Sequence, residues 1–120
     1  MTQQSSNKKH KNKNRERKNE AYSITSKLYH FLQSHPDSII FKKLSGGKTG
    51  DYTTGDDEIR LDYRKEIIPT LIHEFIHHLY PALCESKVIA KEIHVMAIIS
   101  PRQCINILRA LASCVQISRN

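Results

Sequence analysis

Tryptophan is absent from this sequence, and glycine, proline and cysteine are scarce: four, four and three residues among 120. Cys84, Cys104 and Cys114 are an odd number with no close pair, which argues against a disulfide framework and against a cysteine-ligated zinc finger. They are expected to be reduced and largely buried thiols. Cys84 stands apart because it sits beside Glu85, where a thiolate can block or regulate a metal. No apolar run approaches the roughly 18–20 residues of a membrane span. The basic N-terminus is not followed by the apolar stretch of a secretory signal. An intracellular, cytoplasmic protein without a membrane partner is therefore expected.

A chain of 120 residues suits one domain. Such a domain buries roughly 60–70% of its unfolded surface, so a bound metal would add useful stability. The net charge of +7 is unevenly placed. Residues 1–20 carry seven Lys or Arg against Glu16 and Glu20, whereas the remaining hundred carry twelve against ten. After Met1, residues 2–19 hold no large apolar side chain, so a disordered basic tail (1–19) followed by a domain (20–120) is expected. Lys8, Lys9, Lys11, Lys13, Arg15, Arg17 and Lys18 can bind nucleic acid non-specifically through its phosphates. They can equally form a localisation signal or a solvated arm. No aromatic residue is interleaved for base stacking.

From Glu20 the pattern becomes helical: Tyr22, Ile24, Leu28, Tyr29, Phe31 and Leu32 recur at helical spacing until His35-Pro36. A run from Ser38 to Lys43, a second around Tyr52 and a third from Glu58 to Tyr63 read as strands of a small three-stranded antiparallel sheet. In the third, Ile59, Leu61 and Tyr63 share one face. Gly46-Gly47-Lys48-Thr49-Gly50 lacks phosphate-loop spacing and reads as a turn. Pro69 belongs to the first turn of a helix that runs to about Leu79 and stops at Pro81. Residues 85–99 make another helix. Ser100-Pro101 opens a last one, to about 117. The order α-β-β-β-α-α-α defines an α+β fold.

The chemistry lies in His73-Glu74-Phe75-Ile76-His77, an H-E-x-x-H pattern. Residues i and i+4 of a helix lie one above the other, so both imidazoles can grip one zinc ion. Glu74 is turned about 100° from His73, off the ligand set yet within reach of water at an open metal position. A carboxylate there can act as general base and acid. The rival reading makes both histidines ordinary surface residues of a plain helix.

The stretch Glu58–Tyr63, then Pro69-Thr-Leu-Ile-His-Glu-Phe-Ile-His-His-Leu-Tyr-Pro, then Glu85-x-x-Val88, resembles the minigluzincins, small single-domain zinc metallopeptidases of the zincin type. The resemblance covers about residues 38–95. It implies a zincin-like domain that hydrolyses peptide bonds with Zn²⁺ held by His73, His77 and a glutamate on the next helix. Glu85 matches the family pattern; Glu92 and His94 are the alternatives, and His78 projects elsewhere. The resemblance also implies that Glu58–Tyr63 is an edge strand that pairs with an extended peptide substrate. The separate subdomain that supplies an oxyanion-stabilising residue in larger relatives is missing, and Tyr52, Tyr63 and Tyr80 are the candidates for that role. The rival functions are a catalytically weak or inactive zinc-binding regulator and a nucleic-acid-associated protein led by its tail.

Overall fold

The computed structural model describes residues 2–114 and 116–117, with side chains from Arg15 to Cys114. It is a small α+β domain with four helices and a mixed sheet. In chain order these are α1 (Thr2–Ser34), β1 (Ile39–Phe41), β2 (Gly50–Thr53), β3 (Glu58–Leu61), α2 (Ile67–Leu79), α3 (Glu85–Ile98), α4 (Pro101–Ala112) and β4 (Gln116–Ile117). No helix among the described residues is long and apolar enough to cross a membrane.

The apolar stripes read from the sequence supply the core. Ile24, Leu28 and Leu32 of α1 are buried with Leu71, Ile72, Phe75 and Ile76 of α2, Val88 and Val95 of α3, and Ile107 and Leu111 of α4. Ile39, Ile59 and Leu61 close it from the sheet side. Each such side chain contributes about 1.5–3 kcal/mol by leaving water. Along β3 burial alternates, with Ile59 and Leu61 inward and Glu58 and Arg60 half-buried on the other face. There Arg60 bridges to Asp51 (2.5 Å) and Glu58 (3.1 Å).

Helix ends follow their local chemistry. Pro69 lies in the first turn of α2, where no N–H is needed. Tyr80, pinned before Pro81, ends the helix through its N–H to the Ile76 carbonyl at 2.8 Å. Ser100 and Gln103 form a reciprocal capping box at α4 (3.1 and 2.9 Å). Gln103 also reaches Thr25 of α1 (3.3 Å), which ties the last helix to the first.

Three expectations are corrected. The sheet is mixed, in the order β2-β3-β1-β4: β2 pairs antiparallel with β3, but β1 runs parallel to β3 and β4 parallel to β1. Residues 42–57, which contain β2, form the connection that a parallel pair needs, and they place the most apolar strand at the centre. Accordingly Glu58–Tyr63 is not an edge strand. Both sides of β3 are paired, and the unpaired edge beside α2 belongs to β2.

The second correction is one of length: α1 starts at Thr2, whereas the sequence pattern places its start near Glu20. Residues 21–32 already form an anchored helical nucleus, and adding Lys, Arg, Glu and Gln residues to an existing helix avoids the cost of nucleation. Third, the last helix ends at Ala112, short of the expected 117. The Cys114 thiol, 3.1 Å from both the Leu32 and Ala110 carbonyls, holds the chain where β4 can pair with β1.

Asp62, just beyond β3, is buried and gathers the loop between β1 and β2. Its carboxylate accepts from the Leu44 N–H (3.1 Å), the Arg64 N–H (3.1 Å) and the Arg64 guanidinium (2.7 and 2.9 Å). The guanidinium contact, with the backbone donors behind it, holds this carboxyl well below the usual carboxylate range. A folded-state pKa below the unfolded value, about 3.9, means that ionised Asp62 stabilises the fold above that pH. The stabilisation is lost as pH falls through the folded pKa. Asp62→Ala should therefore lower the thermal midpoint at neutral pH. The gap from wild type, followed by circular dichroism, should close as the solution is acidified below about pH 3.

Candidate metal centre

Helix α2 carries its apolar stripe against α1 and the sheet, which turns His73 and His77 to the opposite flank, toward α3. Their ring centroids are 5.0 Å apart. Glu85, the first residue of α3, faces both: its carboxylate oxygens lie 2.6 Å from His73 Nε2 and 2.9 Å from His77 Nε2. One ligand atom from each of these three residues lies within 4.8 Å of the others. A carboxylate can only accept, so at these distances either a ring N–H donates from each Nε2 or a cation stands between Glu85 and the two nitrogens.

The donor set fits zinc. Two imidazole nitrogens and a carboxylate are one of the three-ligand sets that hold catalytic zinc.

The glutamate left open between two positions on α3 takes a different contact. Glu85 and Glu92 are seven residues apart and share one face of α3. Glu92 meets the other nitrogen of His73, with Oε1 2.7 Å from Nδ1. A carboxylate at Nδ1 holds the proton there and turns Nε2 outward as an electron-pair donor. His94 stands apart: its Nε2 is buried without a hydrogen-bond partner, and it is not among the three clustered residues. His78 packs against the rings of Phe31 and Phe75, and its Nδ1 lies 2.9 Å from the Tyr52 hydroxyl.

Glu74 is 7% exposed and sits beneath β2. Burial pushes its carboxyl up to about 7. The nearby His73 opposes that shift, and Asp51, Glu85 and Glu92 add to it. A carboxyl poised near neutrality is suited to moving protons in both directions. Two cavities meet here. One of about 250 Å³ is lined by Asp51, Tyr52, Thr54, His77 and Pro81, and one of about 410 Å³ by Lys48, Thr49, Glu66, Pro69 and Glu92. Gly50, His73, Glu74 and Glu85 border both, so the opening passes over the histidine pair. The largest cavity described, about 600 Å³ between α1 and α4, contains none of these residues.

Among the three tyrosines, only Tyr52 lines the opening. Burial, reinforced by a 2.6 Å hydrogen bond to Asp57, pushes its phenol up to about 12, so it stays protonated. Tyr63 is exposed, and Tyr80 packs under the Lys91 ammonium (5.1 Å to the ring centroid). Cys84 is exposed at the N-cap of α3, with its thiol 3.4 Å from the Ser86 hydroxyl.

Gly50 is a site residue that the sequence marks only as part of a turn. Gly46 and Gly47 do make the turn, with φ of 70° and 74°. Gly50 instead begins β2, and its reason is space. A Cβ there would stand 2.5 Å from Thr70 Cγ2, 3.0 Å from the Arg60 carbonyl and 3.3 Å from Glu74 Cγ. A lone glycine at the start of a strand is a recognisable sign of close approach. Gly50→Ala is expected to cost about 1–3 kcal/mol in urea unfolding, because β2 must lift away from α2.

Hydrogen-bond alternation decides what the β2 edge offers. Asp62 N–H donates to the Thr49 carbonyl at 2.8 Å, so 49/62, 51/60 and 53/58 are the hydrogen-bonded pairs. The N–H and C=O groups of Gly50 and Tyr52 therefore point outward, along the rim of the opening. Comparison of the chain with protein-family models, with curated proteins and with solved structures found no match in any of them.

Proposed function

We propose that this protein is a zincin-like, zinc-dependent peptidase whose centre is His73, His77 and Glu85, with Glu74 as general base and acid. The observation that carries the reading is the Glu85 carboxylate set between two Nε2 atoms while Glu74, one residue along from His73, is buried beside them and outside the donor set.

Zinc held by His73, His77 and Glu85 would supply Lewis acidity toward a carbonyl oxygen. The rest falls to the chain. Glu92 keeps the His73 ring in one orientation and one tautomer. Glu74, as carboxylate, takes a proton from the attacking water and delivers it to the departing amine nitrogen. The outward backbone groups of Gly50 and Tyr52 pair with an extended peptide by strand addition, which replaces β3 by β2 as the substrate-bearing strand. The Tyr52 phenol, kept protonated, lines this path with its proton donated to Asp57.

The test is direct. Elemental analysis of the purified protein should give one zinc per chain. Zinc-loaded protein should cleave members of a mixed peptide library, followed by mass spectrometry, and a chelator should stop it. Protein that holds zinc yet leaves every peptide intact would leave the centre to a structural or sensing role.

A further inference from the structure

The free edge of β2 ends in opposite charge at its two ends. Before Gly50, residues 43–49 lie against residues 62–66. The Leu44 N–H and the Arg64 guanidinium both reach Asp62, and Lys65 Nζ donates to the Lys48 carbonyl at 2.9 Å. These two segments carry Lys43, Lys48, Arg64 and Lys65 against Asp62 and Glu66. Asp62 is buried, with the Arg64 and Lys65 cations 2.7 and 4.0 Å from its Oδ2, so its charge is more than matched. Lys48, with Glu66, lines the 410 Å³ cavity. This end of the opening is net positive.

After Thr53 the sign reverses. Residues 54–58 carry Asp56, Asp57 and Glu58 and no Lys or Arg. Tyr52 and Thr54 line the 250 Å³ cavity, and Asp57 is fixed beside it by the 2.6 Å bond from the Tyr52 hydroxyl. Glu58 is paired with Arg60 (3.1 Å), which leaves the exposed Asp56 and Asp57 to set the charge of this end. Only the four residues Gly50–Thr53 stand between the two ends, about 13 Å at about 3.3 Å per residue.

We propose that the substrate is a short peptide with free termini, laid antiparallel to β2 with its carboxylate at Lys48 and its ammonium at Asp56 and Asp57. This rests on the peptidase reading of the opening and gives it a length and a direction. An unblocked peptide is positive at its first residue and negative at its last. Antiparallel to β2, each of its ends meets the opposite charge; parallel to β2, each meets its own sign. A peptide of about six residues reaches from beside Thr49 to beside Thr54 when extended. A longer one carries a terminus past the charged segments, and an internal stretch of a protein brings no terminal charge at all.

The experiment follows the amide signals of Gly50 and Tyr52 by NMR while an unblocked alanine–valine hexapeptide is added in the presence of zinc. The full-length Glu74→Gln variant is used so that the probe is not consumed. N-acetylation and C-amidation of the peptide should each weaken binding about 2–5-fold at low salt, and less at high salt. D56N/D57N should remove the effect of acetylation alone, and K48Q the effect of amidation alone. Asn at position 57 still accepts from Tyr52 and tolerates the φ of 50° there. Thermal midpoints equal to the parent check that both variants fold. Equal binding of blocked and unblocked peptides, a crossed dependence on the two variants, or no shift at Gly50 and Tyr52 would each overturn the proposal. Wild-type cleavage is a separate readout. Equal kcat/KM for blocked and unblocked peptides would sink this inference and leave the peptidase reading standing, whereas an inactive wild type that binds with this charge pattern would do the reverse.

Discussion

Glu74→Gln is expected to retain one zinc per chain and to lower kcat/KM for peptide cleavage by about 10²–10⁴-fold. Gln keeps the size and hydrogen-bonding reach of Glu but cannot hold and release a proton, so the loss isolates proton transfer from packing. Stability gives an independent check with the opposite sign. The Glu74 carboxyl titrates higher in the folded protein than in the unfolded chain because burial disfavours its charge. Its contribution to stability is therefore greatest below the unfolded value near pH 4 and declines as pH rises toward 7. The metal-free Gln variant, which carries no charge to bury, should be at least as stable as wild type at pH 8. An inactive variant that also melts earlier would point to misfolding, and equal cleavage by variant and wild type would remove the peptidase reading.

The second large effect concerns the donors. His77→Ala and Glu85→Ala each remove one of three ligands and should leave too few to hold zinc against a competing chelator. Glu92→Ala removes only the partner of His73 Nδ1 and should weaken zinc about 10–100-fold, with the ion still bound at saturation. Thermal melts give the same ranking. Ligand at a thousandfold excess over Kd stabilises a fold by about 4 kcal/mol, and that gain should disappear in the first two variants and shrink in the third. A zinc-replete Glu85→Ala beside an empty Glu92→Ala would exchange the roles of the two glutamates.

The His73–Glu74–His77 spacing made this centre legible before any coordinates, because i and i+4 on a helix share a side whatever the helix packs against. The apolar stripes at 24, 28 and 32 and at 71, 72, 75 and 76 were legible for the same reason: periodicity is a property of the local chain. Glu85 and Glu92 were both visible as candidates, yet nothing local separates two residues on one helical face. Only the docking of α3 against α2 set one at Nε2 and the other at Nδ1.

Strand order was a larger loss. Alternation along Glu58–Leu61 showed which face is buried but said nothing of the neighbours, and those neighbours decide which strand keeps a free edge. Gly50 shows the same division in one residue. Its identity is plain in the chain, but its need for a missing Cβ exists only once Thr70 and Glu74 lie opposite.

The chain by itself thus determined that the helices exist, which residues face the core and that two histidines share a helix side with a carboxylate next to one of them, all features governed by contacts within about one helical turn. The tertiary structure alone decided which glutamate meets both Nε2 atoms, the partner of His73 Nδ1 and the strand that lines the opening. Each of these is a meeting of residues far apart in the chain, and a local pattern carries no record of such a meeting.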